Sequence, residues 1–133
     1  MPTPVLADTS AWVDFLQARK GPGCAGMGQL LSSRAAVLCH LVRAELLPFM
    51  PRFPPTLSWL PVLSDPPDLW DRVIACQRIL LRHGGPAAVP DLILVATALH
   101  HRIPVFSTDD DFERYAAALP LKLWTPPDPG PGA

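Results

Sequence analysis

Short apolar runs, each giving way to a helical pattern, constrain this chain more than any other feature. Val5 to Ala7 is closed by Asp8-Thr9-Ser10, after which Trp12, Val13, Phe15 and Leu16 recur at helical spacing. Ala35 to Cys39 is a second buried run, and Leu41 to Leu47 resumes the helical period. Leu69, Trp70, Val73, Ile74, Ile79, Leu80 and Leu81 predict a long amphipathic helix, opened by Pro67 and stopped at Gly84-Gly85. Asp91 to His101 is helical and apolar around most of its circumference, Val105 to Ser107 a strand, Phe112 to Leu119 a last helix and Leu121 to Trp124 a last strand. Strands too short and too apolar to leave a face in water, separated by helices, require a parallel sheet covered on both sides. The expected class is a three-layer α/β/α fold around about five strands.

Two stretches depart from this rhythm. Gly21, Pro22, Gly23 and Gly26 predict a loop, with a short helix from Met27 to Ser33. Seven prolines between Pro48 and Pro67 exclude a long helix and leave short pieces around Leu57 to Leu63, one of them an edge strand. The segment Pro48 to Pro55 reads as a plain surface loop, with part of a groove or dimer edge as the alternative. Residues 1–124 are expected to form one domain and 125–133 a flexible Pro/Gly tail.

Charge and cysteine usage narrow the function. Eleven basic residues against twelve acidic ones give a net charge of −1, so no global basic field draws in nucleic acid, and any polynucleotide must be held locally. Three cysteines without paired ligand spacing argue against a disulfide frame or a zinc site. The first apolar stretch is interrupted by Asp8 and Asp14, and no run reaches the roughly 18 residues of a membrane span. A soluble, cytoplasmic protein is expected.

The chemistry lies where runs end. Asp8 closes the first strand, Glu45 falls in the helix after the second, Asp91 stands in the first turn of its helix, and Asp109 follows the fourth run by two residues. In an open parallel sheet such positions share one crevice at the carboxyl edge. Carboxylates crowded there repel and raise one another's pKa unless a cation intervenes, and an all-oxygen donor set suits Mg²⁺ or Mn²⁺. Hydrolysis of a phosphodiester by metal-activated water is the reaction such a site performs most directly. Taken singly, each acid has a plainer reading: Asp8 or Ser10 as a helix cap, Glu45 as a solvated face, Asp91 as a dipole partner, Asp109 as a turn former.

The runs Asp8-Thr9-Ser10-Ala11-Trp12-Val13-Asp14-Phe15-Leu16, Ala44-Glu45-Leu46, Pro90-Asp91-Leu92-Ile93-Leu94-Val95-Ala96-Thr97-Ala98 and Ser107-Thr108-Asp109-Asp110-Asp111-Phe112 resemble the successive motifs of PIN-domain ribonucleases, most closely the VapC-type toxins. The resemblance implies an endoribonuclease dependent on Mg²⁺ or Mn²⁺. Asp8 and Asp91 would be the principal ligands, with Glu45 and Asp109 completing the acidic pocket. Ser10 would orient Asp8, and Ser107 stands where the family usually has a threonine. Counting back from Phe112 puts Asp109 on the family acid, with Asp111 as the alternative fourth acid or a cap of the last helix and Asp110 as an exposed neighbour. His40 replaces a hydroxyl residue usual at the second motif. A VapB-like antitoxin and a homodimer are implied as partners beside the RNA substrate.

Other strand-end aspartate chemistries fit less well. An aspartyl-phosphate phosphatase would want a second acid where Ser10 stands, and a receiver domain would want a lysine closing the strand that Lys122 instead precedes. Two alternatives within the resemblance are a non-toxin PIN nuclease of RNA processing and a catalytically silent, metal-binding interaction module that keeps the fold. Trp12, Trp59, Trp70 and Trp124 read as core or interface before base-stacking platforms.

Overall fold

The computed structural model describes residues 2–49 and 59–127. Strand β1 (Val5–Ala7) leads into helix α1 (Thr9–Leu16), followed by α2 (Pro22–Ser32), β2 (Ala36–Cys39) and α3 (His40–Leu46). A 3-10 turn at Leu47–Phe49 precedes β3 (Val62–Leu63), and α4 (Leu69–Arg82), α5 (Val89–His101), β4 (Val105–Phe106) and α6 (Asp111–Ala118) complete the order. The strands pair in the order β3-β2-β1-β4, all parallel, with Leu6 opposite Val37 on one side and Val105 on the other. Helices flank this sheet, α1 packing on α2 and α4 on α5 and α6. The class is therefore the expected α/β one with a parallel sheet between helices.

Among the described residues the sheet has four strands, not about five. The last expected strand is reduced to a single bridge, Leu123 opposite Val105, closed by Val105 N–H donating to Lys122 O at 2.9 Å and Trp124 N–H donating to Val105 O at 2.8 Å. Pro126 lacks the N–H that would donate next across this ladder, to Ser107 O. The expected edge strand in the proline-rich segment is β3; residues 50–58, including Pro51, Pro54 and Pro55, lie outside the described residues. All but the first three residues of the expected tail lie outside them as well.

Helix α2 corrects the expected loop. It starts at Pro22, in the first turn where proline is tolerated, and runs through Gly23 and Gly26. These glycines serve close packing: a Cβ on Gly26 would stand 2.4 Å from the Phe106 ring, and one on Gly23 2.4 Å from the Asp14 carboxylate. By contrast Gly84 and Gly85, with φ of 115° and 120°, end α4 as expected. Helix α5 opens two residues before Asp91, with Pro90 in its first turn.

Leu6, Trp12, Met27, Leu80, Leu92, Val105, Phe112 and Tyr115 form the most deeply buried part of the core. Among the described residues no helix is long and apolar enough to cross a membrane. Because every strand is parallel, Ala7, Cys39 and Phe106 all end at the same edge, where the chain turns into its acidic segments.

Candidate active site

Asp8 sits one residue beyond β1, and its own N–H still donates to Phe106 O at 2.9 Å, so the end of the ladder fixes its backbone. Only 6% exposed, it caps α1 by accepting from Ala11 N–H at 3.1 Å through Oδ1. Ser10 Oγ donates to the same oxygen at 2.6 Å and Ser107 Oγ to Oδ2 at 2.5 Å. The cap of α1 is thus Asp8; Ser10 serves the carboxylate. Burial raises the Asp8 pKa above its ordinary value, against the opposing pull of Ser10, Ser107 and Ala11, and Asp109 adds a smaller upward push.

Asp91 occupies the first turn of α5 and is half-buried. Tyr115 OH, from α6, donates to its Oδ2 at 2.6 Å. Burial again raises the pKa, Tyr115 opposes it, and the charges of Asp109, Asp111 and Glu45 reinforce it. The Tyr115 phenol is pushed well above its usual range by burial and by that same carboxylate.

The turn after β4 supplies the rest. Ser107 Oγ, while donating to Asp8, accepts from Asp109 N–H at 3.0 Å, and Thr108 Oγ1 donates to Ser10 Oγ at 3.1 Å. Asp109 Oδ1 accepts from Asp111 N–H at 2.9 Å. Asp111 is thus the first residue of α6 and not its cap, a position held by Asp110, and its carboxylate is left to join the cluster. Carboxylate oxygens of Asp91, Asp109 and Asp111 all lie within 4.8 Å of one another. Glu45, exposed near the end of α3, accepts from Thr9 Oγ1 at 2.7 Å. Asp8, Ser10, Glu45, Asp91 and Asp109 line one recess of about 160 Å³, with Leu41, Leu94 and Phe112 as apolar wall. All the sequence-derived acids thus meet at one place, and Asp110 stays outside as an exposed neighbour.

The PIN domain profile matches residues 5–118. The chain belongs to the PIN domain family. Ribonuclease VapC17 of Mycobacterium tuberculosis (strain ATCC 25618 / H37Rv) is 42% identical over 62 residues, which cover 44% of this chain and 47% of the relative. Ribonuclease VapC21 of the same strain is 43% identical over 60 residues, 44% of each chain. The chain thus spans less than half the length of these relatives. In fold, it is similar to VapBC2 from Rickettsia felis bound to a DNA fragment from its promoter (TM-score 0.70, 14% identity, 92% of this chain and 98% of that one). FitAcB from Neisseria gonorrhoeae is equally similar (TM-score 0.72, 17% identity, 91% and 96%).

Thr9 and Tyr115 of this PIN domain site escaped the sequence reading, while Asp111, the alternative to Asp109 as fourth acid, joins the cluster beside it. Tyr115 lies four residues after Asp111, on the same helical face, and that spacing was the available signal. Beyond the recess, a groove of about 510 Å³ shares Asp109 and Phe112 with it and is bordered by Arg19, Lys20, Thr108 and Trp124. Trp124 is half-buried edge-on against Phe106, whereas Trp12 belongs wholly to the core.

Proposed function

We propose that this chain is an endoribonuclease dependent on Mg²⁺ or Mn²⁺, the toxin of a toxin–antitoxin pair, with residues 1–124 as its nuclease unit. The observation that carries the reading is the convergence of five carboxylates from four separate segments at the carboxyl edge of the sheet. Its donor set is all oxygen, and two members, Asp8 and Asp91, have pKa values raised by burial and, to a smaller degree, by neighbouring carboxylates, which a hard divalent ion would offset. In this reading Asp91, Asp109 and Asp111 would hold the ion, with Asp8 and Glu45 completing the pocket directly or through water. Ser10 and Ser107 hold the Asp8 carboxylate in place.

A bound divalent ion supplies positive charge and an acidified water at the scissile phosphate. The chain's own part is to hold the strand: Arg19 and Lys20 border the adjoining groove and would pair with phosphates, and Trp124 offers a ring to a base. As water adds to phosphorus the P–O3′ bond breaks, leaving a 3′-hydroxyl and a 5′-phosphate. The name ribonuclease, carried by both partly matched relatives, supports RNA as the substrate.

The partner in this proposal is a VapB-like antitoxin. A toxin–antitoxin complex from Klebsiella pneumoniae shares the fold at a TM-score of 0.60. Exposed Trp70, Ile74 and Leu81 share one face of α4 and support self-association as a homodimer, and the proposed setting is the cytoplasm. The test is cleavage of RNA by the purified chain with Mg²⁺ or Mn²⁺. Activity is expected to vanish with chelator and to fall by more than about 100-fold in Asp91→Asn, beyond what loss of an outer-shell partner costs. Undiminished cleavage in that variant or in chelator would sink the proposal.

A further inference from the structure

Asp91 stands at the start of a helix that, among the described residues, no side chain caps. The N-cap of α5 is Ala88 and Pro90 follows, so local capping does not set the orientation of this first turn. Side chains from two other helices do so. Arg114, on α6, donates through Nη1 to Gly85 O at 2.7 Å and through Nη2 to Pro86 O at 3.0 Å. Gln77, on α4, makes a reciprocal pair with Ala87: Nε2 donates to Ala87 O at 2.7 Å, and Ala87 N–H donates to Oε1 at 2.9 Å. Three successive residues before α5 are thereby held on both sides.

Tyr115 adds the last hold, on the carboxylate itself. It is 1% exposed, packed edge-on against Phe112 at 5.1 Å, and the Arg114 guanidinium lies over its ring, 5.1 Å from the centroid. Its hydroxyl occupies Asp91 Oδ2, while among the described residues no hydrogen bond engages Oδ1. One oxygen of Asp91 is thus tied to α6, the helix that opens at Asp111 just after Asp109, and a carboxylate oxygen of Asp91 lies within 4.8 Å of those of Asp109 and Asp111.

We infer that Tyr115 is a positioning residue for Asp91, its hydroxyl fixing the rotamer in which the carboxylate meets a divalent ion, with Arg114 and Gln77 holding the helix start beneath it. The inference rests on the reading of Asp91 as a metal ligand. An outer-shell donor of this kind lowers the cost of ordering its ligand, and its loss typically weakens metal binding by about 10–100-fold.

The experiment is a Mn²⁺ titration of the full chain, with free Mn²⁺ followed by electron paramagnetic resonance and metal-free melting measured alongside. Tyr115→Phe keeps the ring in the core and removes only the donor. It is expected to bind Mn²⁺ at least about tenfold more weakly than wild type while melting within a few degrees of it. Arg114→Ala, which keeps the phenol but frees Gly85 and Pro86, is expected to show a smaller weakening and serves if Tyr115→Phe does not fold. Wild-type affinity in these variants overturns the inference while leaving the metal reading intact. Failure of the wild-type chain to bind Mn²⁺ overturns the metal reading, and the inference with it.

Discussion

Asp8 and Asp91 face the same recess, and burial raises the pKa of both, yet they are held in different ways. Asp8 is nearly sealed and takes three hydrogen bonds, from Ala11, Ser10 and Ser107, so both oxygens are engaged by the strand ends and by the helix it caps. Asp91 is half-buried, takes one hydrogen bond from Tyr115, and has Asp109 and Asp111 as close neighbours. The first carboxylate is built into the backbone frame, and the second is presented from a helix start. The difference separates a carboxylate whose two oxygens are both fixed by the strand ends from one that stands more open beside two other acids.

The strongest challenge to this contrast is Ser107→Ala. It removes a hydrogen bond to a largely buried carboxylate, and the expected cost is about 1.5–3 kcal/mol at neutral pH, read as a lower midpoint in urea. Wild-type stability in this variant would show that Asp8 does not depend on its frame. Gly26→Ala acts on the same side from a distance, because the new Cβ drives into Phe106, the residue that carries Ser107. Overpacking of this kind costs about 1–3 kcal/mol, which for a chain of this size lowers the melting temperature by about 3–4 °C per kcal/mol. An unchanged melting temperature would mean that α2 can back away from β4.

The smallest effect concerns pH. Both carboxylates titrate above the ordinary value of 3.8, so the folded chain holds these protons more tightly than the unfolded one does. The stability they contribute is therefore fully present below 3.8 and declines as pH rises through their raised folded values. In metal-free protein the stability of Asp8→Asn relative to wild type is expected to grow as pH rises over that interval. A difference independent of pH would contradict the burial of an uncompensated charge at Asp8.

Much of this was legible in the order of residues, for physical reasons that differ by element. The strands carrying Val5 to Ala7, Ala36 to Cys39 and Val105-Phe106 show as apolar runs because each is buried on both faces. The acids at their ends could be placed at one edge once the sheet was read as parallel. Helix α2 was hidden because its glycines report contacts with Phe106 and Asp14, partners distant in sequence, instead of a turn. The fifth strand failed because strand propensity in Leu121 to Trp124 says nothing of the ladder, which loses its next donor at Pro126. The clasp of Gln77, Arg114 and Tyr115 on the start of α5 depends on hydrogen bonds between segments ten to twenty-nine residues apart, and no local pattern encodes those.

The acidic cluster as a divalent cation site is the claim on which the rest depends. Crystals of the chain soaked with Mn²⁺ and measured for anomalous scattering test it most directly. The account expects a peak among the carboxylates of Asp91, Asp109 and Asp111 that disappears in Asp91→Asn; Mn²⁺ bound elsewhere, with these three acids empty, would contradict it.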